Sequence, residues 1–340
     1  MATVKDIAKD CDVSIATVSK AINNHSDVSE KTKRRIMESA KRLGYHPNSQ
    51  ARFLKTNRTL NVGVVYEEKA HGGLTHQFFS SVLNSFKMEI ERLGYDVTFI
   101  SPHIGGTEEM SCYDRCMFRN VDGVLIVCAD FKELQIQELL HSDLPLVSID
   151  YSEDGLCSVL SDNSQGMQEI MQYCYQKGHR KIIYLYGDPS QVTDMRVSSF
   201  KQSAETLGVE ILLEESRYHN PDFVEQSVKR LLRNNKELTC IICPDDYAAL
   251  GAYNATAALN LKIPKDISIV GFDGIKISEV IKPHLTTYKQ NSILMGQRAA
   301  FLLQRCMFKE NIPADERVIS VKGKLVEGET VGELSGAWWC

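Results

Sequence analysis

The sequence offers few side chains arranged for covalent chemistry or metal binding. Cys240 and Cys243 have the spacing of many redox and zinc sites, but they lie in an apolar, strand-like run. A separation of three residues places them on opposite faces of a strand, which indicates a structural role. Asp245 and Asp246 are adjacent on a predicted strand-to-helix turn, a place that suits a helix N-cap better than acid–base catalysis. Since no HExxH, GxSxG or glycine-rich phosphate motif occurs, we expect no catalysis, no metal and no cofactor.

The segment from Ser14 to Lys20 carries side chains suited to nucleic acid. Its outward face is short, contains no acidic residue and is rich in hydroxyl groups. Hydroxyl groups donate to phosphate, lysine pairs with phosphate or guanine, and small apolar side chains contact thymine methyl groups. The alternative is an ordinary solvent-facing helix of a small bundle. The residues that would make these contacts are Ser14, Ile15, Ala16, Thr17, Ser19 and Lys20.

Charge is distributed unevenly along the 340 residues. The first 60 residues contain 12 Lys and Arg against 6 Asp and Glu, whereas the remaining 280 contain 27 against 38. A basic head on an acidic body indicates that the head meets a polyanion, unless the clustering arose by chance.

The head reads as three short helices with recognisable caps. The first spans about Val4 to Lys9 after Thr3, and the second spans Ile15 to Ile22 after Ser14. The third runs from Ser29 to about Leu43, where Gly44 fits the position after a helix end. Two short helices joined by a tight turn form a helix-turn-helix unit, whose second helix can enter the major groove. The expected core of the head comprises Ile7, Ala8, Val13, Val18, Ala21 and Ile22, with Ile36, Ala40 and Leu43 at helical spacing on the third helix.

A basic segment follows the head. Pro47 ends the third helix, and Ser49 to Lys55 can form a further short helix that carries Phe53 and Leu54. These two apolar residues would either dock on the body or enter the minor groove as a wedge.

The body alternates strands and helices, which predicts parallel sheets covered by helices on both faces. Two such series suggest two α/β lobes, with ligands bound beyond the carboxyl ends of the strands. The predicted strands are 61–66, 95–100, 123–128, 145–149, 181–186, 238–243 and 267–272, and the predicted helices are 77–93, 110–119, 132–141, 163–176, 200–207 and 246–260.

The head contains the segments TVKDIAKDCDVSIATVSKAINN, VSEKTKRRI and LGYHPNSQARFLKT. In these segments it resembles the LacI/GalR family of bacterial transcriptional regulators. The resemblance implies a homodimer that reads a palindromic operator, with a hinge helix that orders on DNA and inserts Leu54. The main base readers would be Ile15, Ala16 and Lys20, and Lys20 stands where arginine or histidine is common. The full set of DNA-contacting residues implied is Thr3, Ser14, Ile15, Ala16, Thr17, Ser19, Lys20, Asn23, Tyr45, Arg52, Leu54 and Lys55.

The body resembles the same family in PLVSIDY, SDNSQG, GHRKIIYLYG, IICPDDYAALGAYNA, IPKDISIVGFDG and KPHLTTYKQ. The resemblance implies a two-lobed fold like that of periplasmic sugar-binding proteins, crossed by the chain near 161–163, 291–293 and 322–326. The implied domains are a headpiece at 1–47, a hinge helix and linker at 48–60, a first lobe at 61–161 and 292–322, a second lobe at 162–291 and 323–334, and a tail at 335–340.

Effector-binding residues are implied where the family's motifs match. Arg196 would hold vicinal hydroxyl groups or a carboxylate of a ligand, and Asp273 would accept from hydroxyl or ring N–H groups. The alternative is that the two form an ion pair between lobes. Phe78 and Phe79 would stack on a ring or belong to the core, and Asp162 would face the ligand or only cap a helix. The full implied set is Phe78, Phe79, Tyr151, Asp162, Arg196, His219, Asp246 and Asp273.

At two positions the sequence differs from particular branches of the family, which makes a purine effector and a phosphocarrier protein partner less expected. Ser190 stands where the purine-binding branch has arginine, and Phe301 stands where a branch that binds a phosphocarrier protein has arginine. The resemblance implies a sugar or sugar derivative as the effector, because this is the default of the family. With no apolar run of about 20 residues and no apolar stretch at the N-terminus, we expect a cytoplasmic protein without a membrane partner. The alternatives are a solute-binding module without DNA function and an enzyme that uses the cleft.

Overall fold

The computed structural model describes residues 2–22, 25–45, 58–66, 73–101 and 110–334. The chain forms two compact units, one of residues 1–59 and one of residues 60–340. Within the described ranges no helix is long and apolar enough to cross a membrane.

The first unit is a three-helix head made of α1 (Val4–Asp10), α2 (Ile15–Ile22) and α3 (Glu30–Arg42). Thr3 caps α1 in a capping box with Asp6. The Ser14 hydroxyl accepts from the N–H of Thr17 at 3.0 Å, so it caps the start of α2. These boundaries confirm the three predicted helices to within one residue.

The core of the head agrees with the prediction except at one end of α3. Ile7, Val18 and Ile36 are fully buried, as expected from their spacing. Leu43 was expected at helical spacing with them, but it is 37 % exposed and is the residue that follows the last turn of α3. Cys11 and Val28, in the two connecting turns, occupy the core instead.

The second unit contains two six-stranded sheets. Its strands are β1 (Asn61–Tyr66), β2 (Asp96–Ile100), β3 (Gly123–Val127), β4 (Leu146–Ile149), β5 (Cys157–Ser161), β6 (Lys181–Tyr186), β7 (Glu210–Glu215), β8 (Cys240–Ile242), β9 (Ser268–Asp273), β10 (Thr286–Lys289), β11 (Val318–Val321) and β12 (Lys324–Val326). Its helices are α4 (Gln77–Arg92), α5 (Cys112–Phe118), α6 (Leu134–Leu140), α7 (Asn163–Gln176), α8 (Gln191–Leu207), α9 (Pro221–Asn234), α10 (Ala249–Ala258), α11 (Lys276–Val280), α12 (Ser292–Met307) and α13 (Ala314–Arg317).

Each sheet is the centre of one lobe. The first has the strand order β11-β5-β4-β3-β1-β2 and the second has the order β12-β10-β9-β8-β6-β7. All neighbouring strands are parallel except β10 and β12. The chain passes between the sheets after β5, after β10 and after β11, so neither lobe is continuous in sequence.

Both faces of each sheet are covered by apolar side chains, as a parallel sheet requires. Cys240 faces the core beneath α7 and α8, whereas Cys243 belongs to the core beneath α9 and α10. The two thiols therefore lie on opposite faces, which confirms the structural interpretation of their spacing.

Several elements differ from the prediction. Helix α8 begins at Gln191 rather than Phe200 because Ser190 caps it, with the Ser190 hydroxyl accepting from the N–H of Thr193 at 3.1 Å. Several elements were not predicted, namely the strands β5, β7, β10, β11 and β12 and the helices α9, α11, α12 and α13. The edge strand β7 is only partly buried and ends in glutamates, so it lacks a clear apolar run.

Helices α4 and α12 approach each other closely on the first lobe. A Cβ atom added at Gly296 would lie 2.4 Å from the carbonyl oxygen of Val82 and 2.7 Å from the nitrogen of Phe86. The backbones meet there because position 296 has no side chain.

Candidate functional sites

The outward face of α2 is the candidate DNA-binding surface. Val18 and Ala21 pack into the core of the head, which turns Ile15 and Ala16 towards solvent. Ile15 is 49 % exposed, although burying such a side chain stabilises a protein by about 1.5–3 kcal/mol. An isoleucine left outside a small core is therefore available for contact with another molecule.

Lys20 lies on the same outward face and forms an ion pair with Asp27, in the connection between α2 and α3. Both side chains remain about half exposed, at 48 % and 52 %. The hydrogen bond from Lys20 lowers the pKa of the Asp27 carboxyl, so this carboxylate is ionised at neutral pH.

The other residues predicted to contact DNA make contacts within the head or lie outside the described residues. The hydroxyl group of Thr3 donates to the Asp6 carboxylate at 2.8 Å, and the hydroxyl groups of Ser14 and Thr17 are 2.8 Å apart. Ser19 is half-buried, and Tyr45 packs against the core of the head. Four further predicted contacts lie outside the described residues: Asn23, Arg52, Leu54 and Lys55.

Arg196 is the most enclosed cation of the second lobe. Its Nε donates to Asn163 Oδ1 at 2.7 Å and its Nη1 to the carbonyl of Pro244 at 3.0 Å, while the guanidinium carbon lies 3.6 Å from the centre of the Phe272 ring. Arg196 and Asp273 both belong to the second lobe, on α8 and β9. The inter-lobe ion pair, which was the alternative for them, is therefore not what they form.

Asp273 ends β9 and lies beside a crossing between the lobes. Its carboxylate accepts from Gln290 Nε2 at 2.6 Å, and its carbonyl accepts from the Gln290 N–H at 3.1 Å. Burial raises the pKa of Asp273 to about 8, against the lowering effect of Arg196. The Asp273 carboxyl therefore titrates close to neutral pH.

Asp245 and Asp246 act separately despite their adjacency. Asp245 accepts from the N–H groups of Ala248 and His219, each at 2.6 Å. The N-cap residue of α10 is Ala248, which has no side-chain cap, so the prediction that the aspartate pair caps this helix is wrong: Asp245 lies in the turn before it. Asp246 accepts from the Thr287 hydroxyl at 2.5 Å and from the Ile275 N–H at 2.8 Å. Burial raises the pKa of both carboxyls.

His219 lies in a column of rings that crosses from one lobe to the other. Its imidazole stacks on Tyr247 at 4.1 Å and on His76 at 4.7 Å between centroids. His76 in turn contacts Phe79, with 4.8 Å between centroids. Of the rings predicted to stack on a ligand, His219 and Phe79 therefore both contact His76 in this structure.

A second contact between lobes lies near Tyr151. The side-chain amide of Gln191 accepts from the Ser152 N–H at 3.0 Å and donates to the Ser152 carbonyl at 2.9 Å. Tyr151 itself stacks on Phe131 with 3.9 Å between centroids and an interplanar angle of 3°.

Two predicted effector residues take the structural alternative. Phe78 is 4 % exposed and packs in the core of the first lobe, because it lies on the sheet-facing side of α4. Asp162 caps α7, where its carboxylate accepts from the Gln165 N–H at 3.1 Å.

Comparison with known proteins identifies the chain's family. Residues 3–48 match bacterial regulatory proteins of the lacI family, and residues 171–331 match the periplasmic binding protein-like domain. The HTH-type transcriptional repressor PurR of Vibrio vulnificus is 31 % identical over 347 residues, which cover 98 % of this chain and all of that protein. The chain belongs to the lacI family of bacterial regulatory proteins.

Other members of the lacI family support the same assignment. The probable HTH-type transcriptional repressor ExuR of Bacillus subtilis is 30 % identical, covering 89 % of this chain and 92 % of its own. Among solved structures, the lac repressor dimer bound to operator and the anti-inducer ONPF matches with a TM-score of 0.84 at 24 % identity, over 97 % of this chain and 99 % of that one. A ribose-bound regulator of the family from Enterococcus faecalis matches with a TM-score of 0.68 at 23 % identity, over 81 % and 100 %. The chain is thus a transcription regulator with the two-lobed fold expected of a lacI family member.

Three polar residues near the boundary between the lobes were not predicted: His76, Asp150 and Gln290. Asp150 follows β4 with a positive φ of 56°, and its carboxylate accepts from the Ser161 N–H at 2.8 Å. Burial raises the pKa of Asp150 to about 6. Its place directly after a buried strand, in PLVSIDY, was the available signal. The sequence around His76 and Gln290 contains no comparable signal, because their roles depend on contacts with His219 and Asp273, which lie elsewhere in the sequence.

Proposed function

We propose that the protein represses transcription by binding a palindromic operator as a homodimer, with α2 in the major groove. The observation that carries this proposal is the outward face of α2, where Ile15 stays exposed although the opposite side of the same helix is buried. Ile15 and Ala16 would contact base edges and Lys20 would donate to an acceptor in the groove. The excess of basic residues in the head supports the polyanion partner.

The effector part of the proposal rests on the region between the lobes. Asp150, His219 and Asp273 all have positive φ, a conformation that costs non-glycine residues about 1–3 kcal/mol and that clusters at ligand sites. Burial raises the pKa values of the Asp245, Asp246 and Asp273 carboxyls, so beside the guanidinium of Arg196 the site can donate as well as accept hydrogen bonds. Such a site suits a ligand rich in hydroxyl groups, and we propose a sugar or sugar derivative.

The domain boundaries, the hinge contacts and the individual ligand contacts are proposals of the same kind. Residues 1–47 would form the DNA-binding headpiece and 48–60 the hinge, with Leu54 as a minor-groove wedge flanked by Arg52 and Lys55. The lobes would comprise 61–161 with 292–322 and 162–291 with 323–334, supported by the strands that each sheet contains. Ligand contacts from Phe79, Tyr151, Arg196, His219, Asp246 and Asp273 would require the ring column to rearrange. A cytoplasmic location fits a partner that is chromosomal DNA.

The test is a gel-shift titration of the full-length protein against palindromic duplexes, at two salt concentrations. We expect binding that weakens steeply with salt and is lost when Ile15 and Ala16 are both replaced by glutamate. Salt-insensitive binding, or no binding to any duplex, would contradict the proposal. A thermal-shift screen of sugars and sugar phosphates tests the effector, since a ligand that prefers the folded state raises the melting temperature.

A further inference from the structure

The Lys20–Asp27 pair places an acidic side chain on the face of the head that is proposed to meet DNA. The other ion pairs described in the head have a structural reason. Asp10 also accepts from Ser39 and Arg42 and so ties α1 to α3, and Glu30 pairs with Lys33 within the first turn of α3. Asp27 is half exposed and lies two residues before Ser29, which caps α3 without its help.

A carboxylate in this place is costly for general DNA binding. It repels phosphates and cancels the charge of Lys20, whose ammonium group would otherwise contribute to binding any sequence. Its presence on the outward face is therefore better explained by a group on the DNA that donates a hydrogen bond.

The hydrogen-bonding capacity of the pair matches one base pair. The ammonium of Lys20 uses one of its three donors on Asp27 and keeps two, while the Asp27 carboxylate keeps most of its acceptor positions. In the major groove a G·C pair presents guanine N7 and O6 as acceptors and cytosine N4 as a donor. Lysine donates to the guanine atoms, and an aspartate accepts from the cytosine amino group.

We propose that Lys20 and Asp27 together read one G·C base pair in each half of the operator, with Lys20 donating to guanine and Asp27 accepting from the cytosine N4 amino group. The inference rests on the proposed docking of α2 in the major groove. Lys20 alone would tolerate other acceptors, such as thymine O4 or a phosphate. Asp27 removes that tolerance, because a G·C pair presents two adjacent acceptors beside one amino donor, which matches the two free donors of Lys20 beside the carboxylate, whereas an A·T pair has its amino donor between two separate acceptors.

The experiment selects binding sites from a randomised palindromic duplex library with the wild-type protein and with Asp27→Ala. The wild type should require G·C at one position in each half-site. Asp27→Ala should lose that preference by a factor of ten or more, consistent with the typical worth of a specific base contact, and should keep its preferences elsewhere. It should also bind unrelated duplex DNA more tightly and with a steeper salt dependence, because a negative charge has been removed.

Glu30→Gln is the matched control, since it also removes one paired acidic charge from the head. It should strengthen non-specific binding without changing the preferred bases. The inference is overturned if Asp27→Ala selects the same bases as the wild type, or if Glu30→Gln relaxes the same position. Both variants change exposed residues, and circular dichroism melting checks that they fold. Failure of the wild-type protein to select any sequence would instead overturn the proposed function.

Discussion

The rings of His76 and His219 stack across the boundary between the two lobes, with 4.7 Å between their centroids. His76 precedes α4 of the first lobe, and His219 precedes α9 of the second. Burial lowers the pKa of His76 to about 4, with a further contribution from His219. Protonation of either ring is therefore unfavourable while the ring is buried in this contact.

We expect acid to destabilise the second unit through His76. An unfolded histidine has a pKa near 6.5, so below that pH the unfolded chain binds more protons than the folded one. The free energy of unfolding should fall as the pH drops from about 6.5 to about 4. His76→Phe keeps an aromatic ring without a titrating group, and its melting temperature should decline less over this range than that of the wild type.

His141→Gln serves as the control for His76→Phe, because His141 is exposed at the end of α6. Its melting temperature should follow the wild-type pH profile. If the melting temperatures of the wild type and of His76→Phe fell equally with decreasing pH, protonation of His76 would not contribute to the loss of stability in acid.

Effector affinity should rise with pH through Asp273. A ligand hydroxyl that donates to this carboxyl favours the ionised form, whereas burial keeps the free protein's pKa near 8. Binding therefore releases a proton, and affinity measured by calorimetry with the best sugar from the thermal-shift screen should increase from pH 6 to 8. Asp273→Asn should flatten this dependence. An unchanged pH profile in that variant would remove Asp273 from the ligand site.

Replacing Arg196 should destabilise the second lobe. Lysine cannot stack flat on Phe272 while donating to both Asn163 and the Pro244 carbonyl. We expect Arg196→Met to lower the free energy of unfolding by about 3 kcal/mol, because buried carboxyls lose their nearby cation. Arg196→Lys should fall between Arg196→Met and the wild type. Urea denaturation measures both, with the exposed residue Lys201 of the same helix, changed to Ala, as a control that should stay within about 0.5 kcal/mol of wild type.

Gly296→Ala should loosen the contact between α4 and α12. The added Cβ would meet backbone atoms of Val82 and Phe86, which cannot rotate away as a side chain would. We expect a loss of about 1–3 kcal/mol in the free energy of unfolding, although alanine normally favours a helix. Gln297→Ala, at an exposed position of the same helix, should be neutral or slightly stabilising. A Gly296→Ala protein as stable as wild type would mean that the helices separate without cost.

Local patterns predicted those elements whose own residues carry the signal. Strand β6 and helix α7 were predicted with their observed limits, because each has apolar residues at regular spacing and a clear boundary residue. The first turns of α8 were missed because Thr193, Asp194 and Arg196 give them no apolar periodicity, although Thr193 and Arg196 are buried among polar partners.

The cleft was predicted less completely than the head. The outward face of α2 follows from a single helix, so its exposed residues can be found from spacing alone. Asp150 accepts from Ser161 within the first lobe, and Gln290 donates to Asp273 within the second. His76 acquires its role only where the lobes converge, because the ring column forms between residues 143 positions apart in sequence. No local pattern contains that information.

The three passages of the chain between the sheets also affect how the protein is made. Strand β11 is the outer strand of the first sheet, yet it comes from residues 318–321, near the end of the described chain. A ribosome must therefore synthesise most of the polypeptide before the amino-terminal lobe can complete its sheet, whereas the small head can fold as soon as it emerges. A nascent molecule would present a finished reading head well before it possesses any receptor for a metabolite.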